Sequence, residues 1–161
     1  MHLLLIRHAD AGDADPSLWP DDSLRPLTEK GLRRHLKVAR RISRQKRTPA
    51  LLLSSPWLRA WQTAQLTAEH TGGPAPVACP ALAAAPSLRA LAAALGRRPH
   101  DAIVALVGHE PWLGELGSLL LTGDARRLTI LFPKSGVLGV EVGSLDAGGG
   151  ALEFFWRPKG E

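Results

Sequence analysis

The sequence predicts an α/β fold, a three-layer α/β/α sandwich with a mainly parallel central sheet and an antiparallel edge strand or pair. Three observations support this. Short apolar runs alternate with longer helix-like segments, as a sheet covered on both faces requires. The runs LLLI at 3–6 and AIVALV at 102–107 are apolar without interruption, as in strands buried on both faces. The last third of the chain changes to strand-like runs joined by turns, which suits an antiparallel edge.

The elements follow in order. Residues 3–6 form the first strand. Thr28 caps a helix running to about Arg44, with Leu32, Leu36, Ala39 and Ile42 on one stripe and Arg33, Lys37, Arg40, Arg41 and Arg44 opposite. Residues 51–53 form a second strand, after which Ser55 as cap and Pro56 in the first turn open a helix to about His70, closed by Gly72 and Gly73. Residues 77–79 are a weaker strand, and Ser87 caps the helix SLRALAAAL before Gly96. The strand at 102–107 is followed by a helix from about Pro111 to Leu121. Strands at 128–132, 137–142 and 152–156 complete the chain, the last two joined by a Gly-rich turn at 147–150.

Bulk composition narrows the function class. With 161 residues, 45% hydrophobic and 22% charged, one globular domain spanning 1–161 is expected and disorder is not. The net charge is +5, and much of the excess lies between Arg33 and Arg47. Such a balance fits nucleic acid, an anionic membrane or a small phosphorylated substrate. No aromatic residue interleaves the basic helix, so nucleic acid is not the expected partner. The single cysteine, Cys79, excludes an internal disulfide and any multi-cysteine metal cluster. Neither a signal-peptide pattern nor an apolar stretch of membrane-spanning length is present, so the expectation is a cytoplasmic protein with no membrane partner, metal or cofactor.

Three strand runs end on polar groups. The first ends in Arg7-His8, the second in Ser54-Ser55-Pro56 followed by Arg59, and the strand at 102–107 in Gly108-His109-Glu110-Pro111. The carboxyl ends of parallel strands share one rim, so these groups can converge although distant in sequence. Two arginines, two histidines and a helix N-terminus make a phosphate site, because guanidinium forks match phosphoryl oxygens and free N–H groups add positive potential. No GxxxxGK[ST] occurs, so a Walker-type nucleotide site is excluded. Taken singly, each residue has a plainer explanation: a hydrogen-bonded structural histidine, an arginine paired with a loop carboxylate, an exposed helix charge. Four of them at the ends of successive strands are hard to explain as independent accidents.

The run IRHADAG, then RPLTEKG from Arg25, SSPWLRAWQTA from Ser54 and VGHEP from Val107 resemble the histidine phosphatase superfamily (phosphoglycerate mutase-like) in order and spacing. The short chain, Ala9 in place of the usual glycine and the RPLTxxG stretch are most similar to the small SixA-type phosphohistidine phosphatases. The resemblance implies that His8 is the nucleophile, forming a phosphohistidine intermediate that water hydrolyses, while Arg7, Arg59 and His109 hold the phosphoryl oxygens. Arg25 and Ser55 join them as candidate phosphate contacts. Neighbouring arginine charges should keep His8 neutral, and a bond from its other ring nitrogen to a carbonyl would fix the tautomer. His109, if protonated, would be a third cationic donor.

The chain also departs from the superfamily. Larger members take a general acid from the segment after the SPxxRxxQT helix, yet residues 71–100 contain no Asp or Glu. Either an aspartate of the first loop substitutes, with Asp10 nearest and Asp13 or Asp15 also in reach, or these aspartates are simply solvated and the leaving group needs little help. The second alternative favours a phosphohistidine protein as substrate, with nucleotide, pyrophosphate-like or sugar phosphate substrates as the alternative and a non-catalytic phosphate-binding module as another. Trp57, Trp61 and Trp112 flank the proposed ligands, either as a rim that receives a partner or as core.

Overall fold

The computed structural model describes residues 1–158. Six strands form one sheet: β1 (His2–Arg7), β2 (Leu51–Ser54), β3 (Val77–Ala78), β4 (Ile103–Gly108), β5 (Val137–Val142) and β6 (Gly150–Trp156). Their order is β3-β2-β4-β1-β5-β6. The first four run parallel, whereas β5 is antiparallel to both β1 and β6, which gives the expected antiparallel edge pair.

Alternation along the strands builds the two cores. On one face Leu4, Ile6, Leu52, Ala105 and Val107 pack against α1 (Glu29–Arg44) and α2 (Leu58–Thr71) through Val38, Ile42, Ala60 and Ala64. On the other, Leu3, Leu5, Leu53, Val104 and Leu106 meet α3 (Leu88–Leu95) and α4 (Trp112–Thr122) through Leu91, Leu95, Leu113, Leu116 and Leu120. The unbroken apolar runs are therefore read by both layers at once. None of the described helices is long and apolar enough to cross a membrane.

Three local expectations are corrected. The buried stripe of α1 is Gly31, His35, Val38, Ala39 and Ile42, while Leu32 is exposed and Leu36 only half-buried. A histidine with two buried hydroxyl partners takes a core position that the expected apolar stripe left out. Helix α2 begins at Leu58 with Trp57, not Ser55, in the cap position. The Ser55 hydroxyl instead accepts from the Trp57 N–H in a tight turn, at 3.2 Å. Residues 128–132 form no strand. The place beside β1 is taken by β5. The polar groups of Phe132 go to side chains, its N–H to Glu110 and its carbonyl to Arg7, while its ring enters the core.

One contact fixes the loop after β1 onto α1. The Asp10 carbonyl accepts from the Thr28 N–H at 2.9 Å and from the Thr28 hydroxyl at 3.2 Å. It lies so close to Gly31 that a Cβ there would overlap it. This explains the spacing in RPLTEKG: the threonine caps the helix and binds the loop, and the glycine three residues later leaves room for the loop backbone. Gly31→Ala should therefore cost roughly 3 kcal/mol of stability. Urea unfolding checks this, and an unchanged midpoint would contradict the packing described.

Candidate active site

The parallel register of β1 and β4 places Arg7 opposite Gly108, and the His8 N–H donates to the Gly108 carbonyl at 3.0 Å. His8 and His109 thus leave the sheet side by side, their ring centroids 5.1 Å apart. The Ser55 N–H donates to the Val107 carbonyl at 2.9 Å, bringing the start of α2 to the same rim.

The α2 sequence explains how the site is held. Arg59, Gln62 and Thr63 share one helix face at i, i+3 and i+4. Gln62 accepts from the Leu27 N–H at 2.8 Å. Thr63 accepts from the Ala9 N–H at 3.0 Å, next to His8, while its own hydroxyl donates back to the Arg59 carbonyl. Arg59 is the one charged member of the three.

His8 is buried, and its Nδ1 lies 2.7 Å from the Ala9 carbonyl. A carbonyl only accepts, so Nδ1 carries the proton and Nε2 presents its lone pair. Burial pushes the His8 pKa down to about 4; the Ala9 carbonyl opposes this, and the charges of Arg59, Arg7 and Lys134 add to it. His109 is lowered further, to about 3, by burial and then by His8, Arg59 and Arg7. It is therefore neutral, and can donate through a ring N–H without the positive charge that protonation would add. Its Nε2 lies 2.8 Å from the Ser55 hydroxyl. Among the described residues the Ser55 hydroxyl has no other acceptor for its own proton, so it donates to Nε2, and the ring proton of His109 sits on Nδ1.

Arg7 and Arg59 complete the group. Arg7 donates to the Phe132 carbonyl at 2.6 Å, and burial draws its guanidinium pKa down while the Glu110 charge opposes. Arg59 donates to the Asp22 carbonyl at 2.8 Å, meets the Asp22 carboxylate at 3.0 Å, and lies 4.8 Å over the Trp57 ring. Among the described residues, three buried nitrogens at this rim have no partner: Arg7 Nε, Arg59 Nε and His109 Nδ1. Unpaired buried donors are costly, and their clustering marks a site shaped for a ligand rich in acceptors.

The other expected residues do different work. Arg25 turns its guanidinium inward, to the Asp22 carboxylate at 2.7 Å and the Ala11 and Gly12 carbonyls at 3.1 and 2.7 Å. In this geometry it clamps the loop and, through Asp22, positions Arg59, in place of the expected contact with phosphate. Ser55 faces His109, so its expected phosphate contact becomes one step indirect. Asp10 is paired with Lys134, which holds its carboxyl below the usual range. That is the wrong direction for a proton donor. Trp57 and Trp112 pack on His109, with centroids at 4.7 and 6.2 Å, and both stay half-exposed as a wall of the site.

Several contributors escape the sequence patterns. Both Glu110 oxygens accept backbone N–H groups, from Gly114 at 3.0 Å and Phe132 at 2.7 Å. Its place in GHEP is the one signal that could have drawn attention to it. Ser135, at φ 62°, donates its N–H to the His8 carbonyl at 3.2 Å, and its hydroxyl lies 3.1 Å from the wholly buried His35. The other ring nitrogen of His35 meets Thr67 at 2.8 Å.

The arrangement defines a class before any comparison: an α/β protein with a neutral imidazole facing buried anion donors at the carboxyl rim of its sheet. Residues 3–83 match the histidine phosphatase superfamily, branch 1, and the chain belongs to that superfamily. An uncharacterized protein of Picosynechococcus is 38% identical over 146 residues, covering 89% of this chain and 87% of that one. Among solved structures, the protein histidine phosphatase SixA complexed with tungstate superposes with a TM-score of 0.79 at 27% identity, covering 98% of this chain and 97% of that chain. A protein from Agrobacterium tumefaciens, described as a candidate SixA phosphohistidine phosphatase, gives 0.75 at 27% identity, with coverage of 98% and 97%. The mycobacterial glucosyl-3-phosphoglycerate phosphatase gives 0.71 at 19% identity, with coverage of 98% and 99%, and shows the shared fold.

Burial of neutral histidines links the site to stability. His8, His35 and His109 fall to about 4, 4 and 3 from an ordinary value of 6.5. The unfolded chain takes up protons that the folded state refuses, so their contribution is complete above pH 6.5 and is lost as pH falls toward 4. Urea unfolding across this window should show stability dropping with a proton-uptake difference approaching three. His35→Gln should remove about one proton from that slope, and a flat profile between pH 6.5 and 4 would contradict neutral burial.

Proposed function

We propose that the protein is a phosphatase working through a phosphohistidine on His8, with protein phosphohistidine as its substrate. The observation that carries this is the set of unpaired nitrogens of Arg7, Arg59 and His109 beside a histidine whose Nδ1 is committed to the Ala9 carbonyl. A phosphoryl group supplies the oxygens these donors lack, and the superfamily membership and the tungstate-bound relative are consistent with that.

In the first step Nε2 of His8 attacks phosphorus, the P–N bond to the substrate imidazole breaks, and the bonding pair leaves with that ring. A substrate imidazole protonated on its far nitrogen departs as neutral imidazole, with no proton from the enzyme. The phosphoryl group on His8 then sits on a ring whose Nδ1–H is still bonded to Ala9, so the intermediate is cationic at the imidazole. Water attacks phosphorus, its proton passes to solvent or phosphate, and His8 departs neutral. The arginines and the neutral Nδ1–H of His109 hold the charge that builds on the equatorial oxygens.

The surroundings favour a leaving group that needs no acid. Asp10 is ion-paired, both oxygens of Glu110 are occupied by backbone N–H groups, and residues 71–100 are without carboxylates. A crevice of about 410 Å³ opens beside Arg7, with Leu128, Leu131 and Phe132 in its lining. Leu131 and Leu128 are exposed, an apolar lip suited to a protein surface. The same crevice favours a second reading, a small-molecule phosphatase whose substrate places its non-phosphoryl part there.

Phosphate release from a phosphohistidine protein, compared with a panel of nucleotides, pyrophosphate and sugar phosphates, tests the assignment. Turnover should be fastest on the phosphohistidine protein; robust turnover of the panel alone would select the second reading. His8→Ala should lose both turnover and an acid-labile phosphoenzyme, and Arg59→Ala should slow turnover by about 10²–10³. Asp10→Asn should stay within about threefold of wild type on phosphohistidine, because no enzyme proton is required. A loss of a hundredfold there would restore Asp10 as the acid.

A further inference from the structure

The largest charge feature outside the catalytic rim lies on α1. Arg34, Lys37, Arg41 and Arg44 recur at i, i+3, i+7 and i+10, a row about 15 Å long at the helical rise. The row forms one wall of a cavity of about 580 Å³, closed by Trp156 and Arg157 at the end of β6 and by Ser135. Among the described residues, no carboxylate lines it. Elsewhere the fold pairs such charges, Arg33 with Glu29 and Arg47 with Glu153. Among the described residues, none of the five cations in this cavity is in an ion pair.

Two further features point to a ligand. The Nε of Arg34 is buried and has no hydrogen-bond partner. Arg41 is held over Trp156 at 4.3 Å, and Trp156 is itself stacked on Phe154 at 4.1 Å and 21°, so this guanidinium is fixed in place before anything binds. With Arg41 and Phe154 against it, the indole is a support and offers no platform for a base, which argues against nucleotides and single-stranded nucleic acid.

We propose that this cavity is a second anion site, distinct from the His8 site, for a compact ligand carrying two or more phosphoryl groups. Its volume lies in the range of small-ligand pockets, and guanidinium forks match phosphoryl oxygens. A bound ligand would lie against Ser135, whose N–H holds the His8 carbonyl, and would so touch the segment that supports the nucleophile. The proposal is independent of what the catalytic site hydrolyses.

Calorimetric titration with inorganic tripolyphosphate at near-physiological ionic strength tests it. The probe should bind one site that survives Arg59→Ala, which disables the catalytic anion site. Lys37→Gln combined with Arg44→Gln, both exposed and away from the Arg41–Trp156 contact, should weaken that site by about tenfold or more. Phosphatase turnover of that double variant should equal wild type, which shows that it folds. Loss of all binding in Arg59→Ala, wild-type binding in the double variant, or binding of hexaglutamate in place of tripolyphosphate would each overturn the proposal.

Discussion

The site depends on one register. Pairing Arg7 with Gly108, and extending it by the bond from His8 N–H to the Gly108 carbonyl, sets two histidines at the same height on neighbouring strands. A slip by one residue would turn His8 toward the opposite layer and exchange the faces on which Leu3, Leu4, Leu5 and Ile6 are buried. The register is therefore enforced by both cores, and the chemistry at the rim uses a placement that apolar packing has already stabilised.

A water-poor rim then sets the electrostatics. The fold buries guanidinium and imidazole groups together, and the imidazoles yield by staying neutral while the arginines keep their charge. Asp22 is the main counterweight, since it meets both Arg59 and Arg25 from a half-exposed position. The positive field is thus anchored at its edge and left open toward His8.

The fold was legible in the sequence because the elements were well bounded: LLLI and AIVALV are uninterrupted apolar runs of strand length, and Thr28, Ser87 and Gly72 marked helix ends that the structure uses. The residues that converge at the rim were legible because they follow strand ends. What stayed hidden was hydrogen-bond bookkeeping. His35 takes a core position that the apolar stripe did not include, and only a folded view shows the Thr67 and Ser135 hydroxyls that make it acceptable there. Arg25 and Asp10 lie in motif-bearing stretches, yet their partners, Ala11, Gly12, Asp22 and Lys134, are set by how the loop closes, which spacing does not record. The segment 128–132 had strand composition, but the place beside β1 is taken by β5 and the polar groups of Phe132 go to Glu110 and Arg7.

The Arg25 clamp has a consequence for how such a protein could diversify. It joins residues 11 and 12 to residue 25, and Asp10 is fixed to Thr28 just beyond, so the loop is closed at its base. Residues 13–21 form a largely exposed tip outside that closure. Lengthening a flexible loop costs only about 0.6 kcal/mol for each doubling. New sequence could therefore accumulate at the tip without disturbing the residues that hold His8. The tip is a place where selectivity could evolve while the chemistry stays fixed.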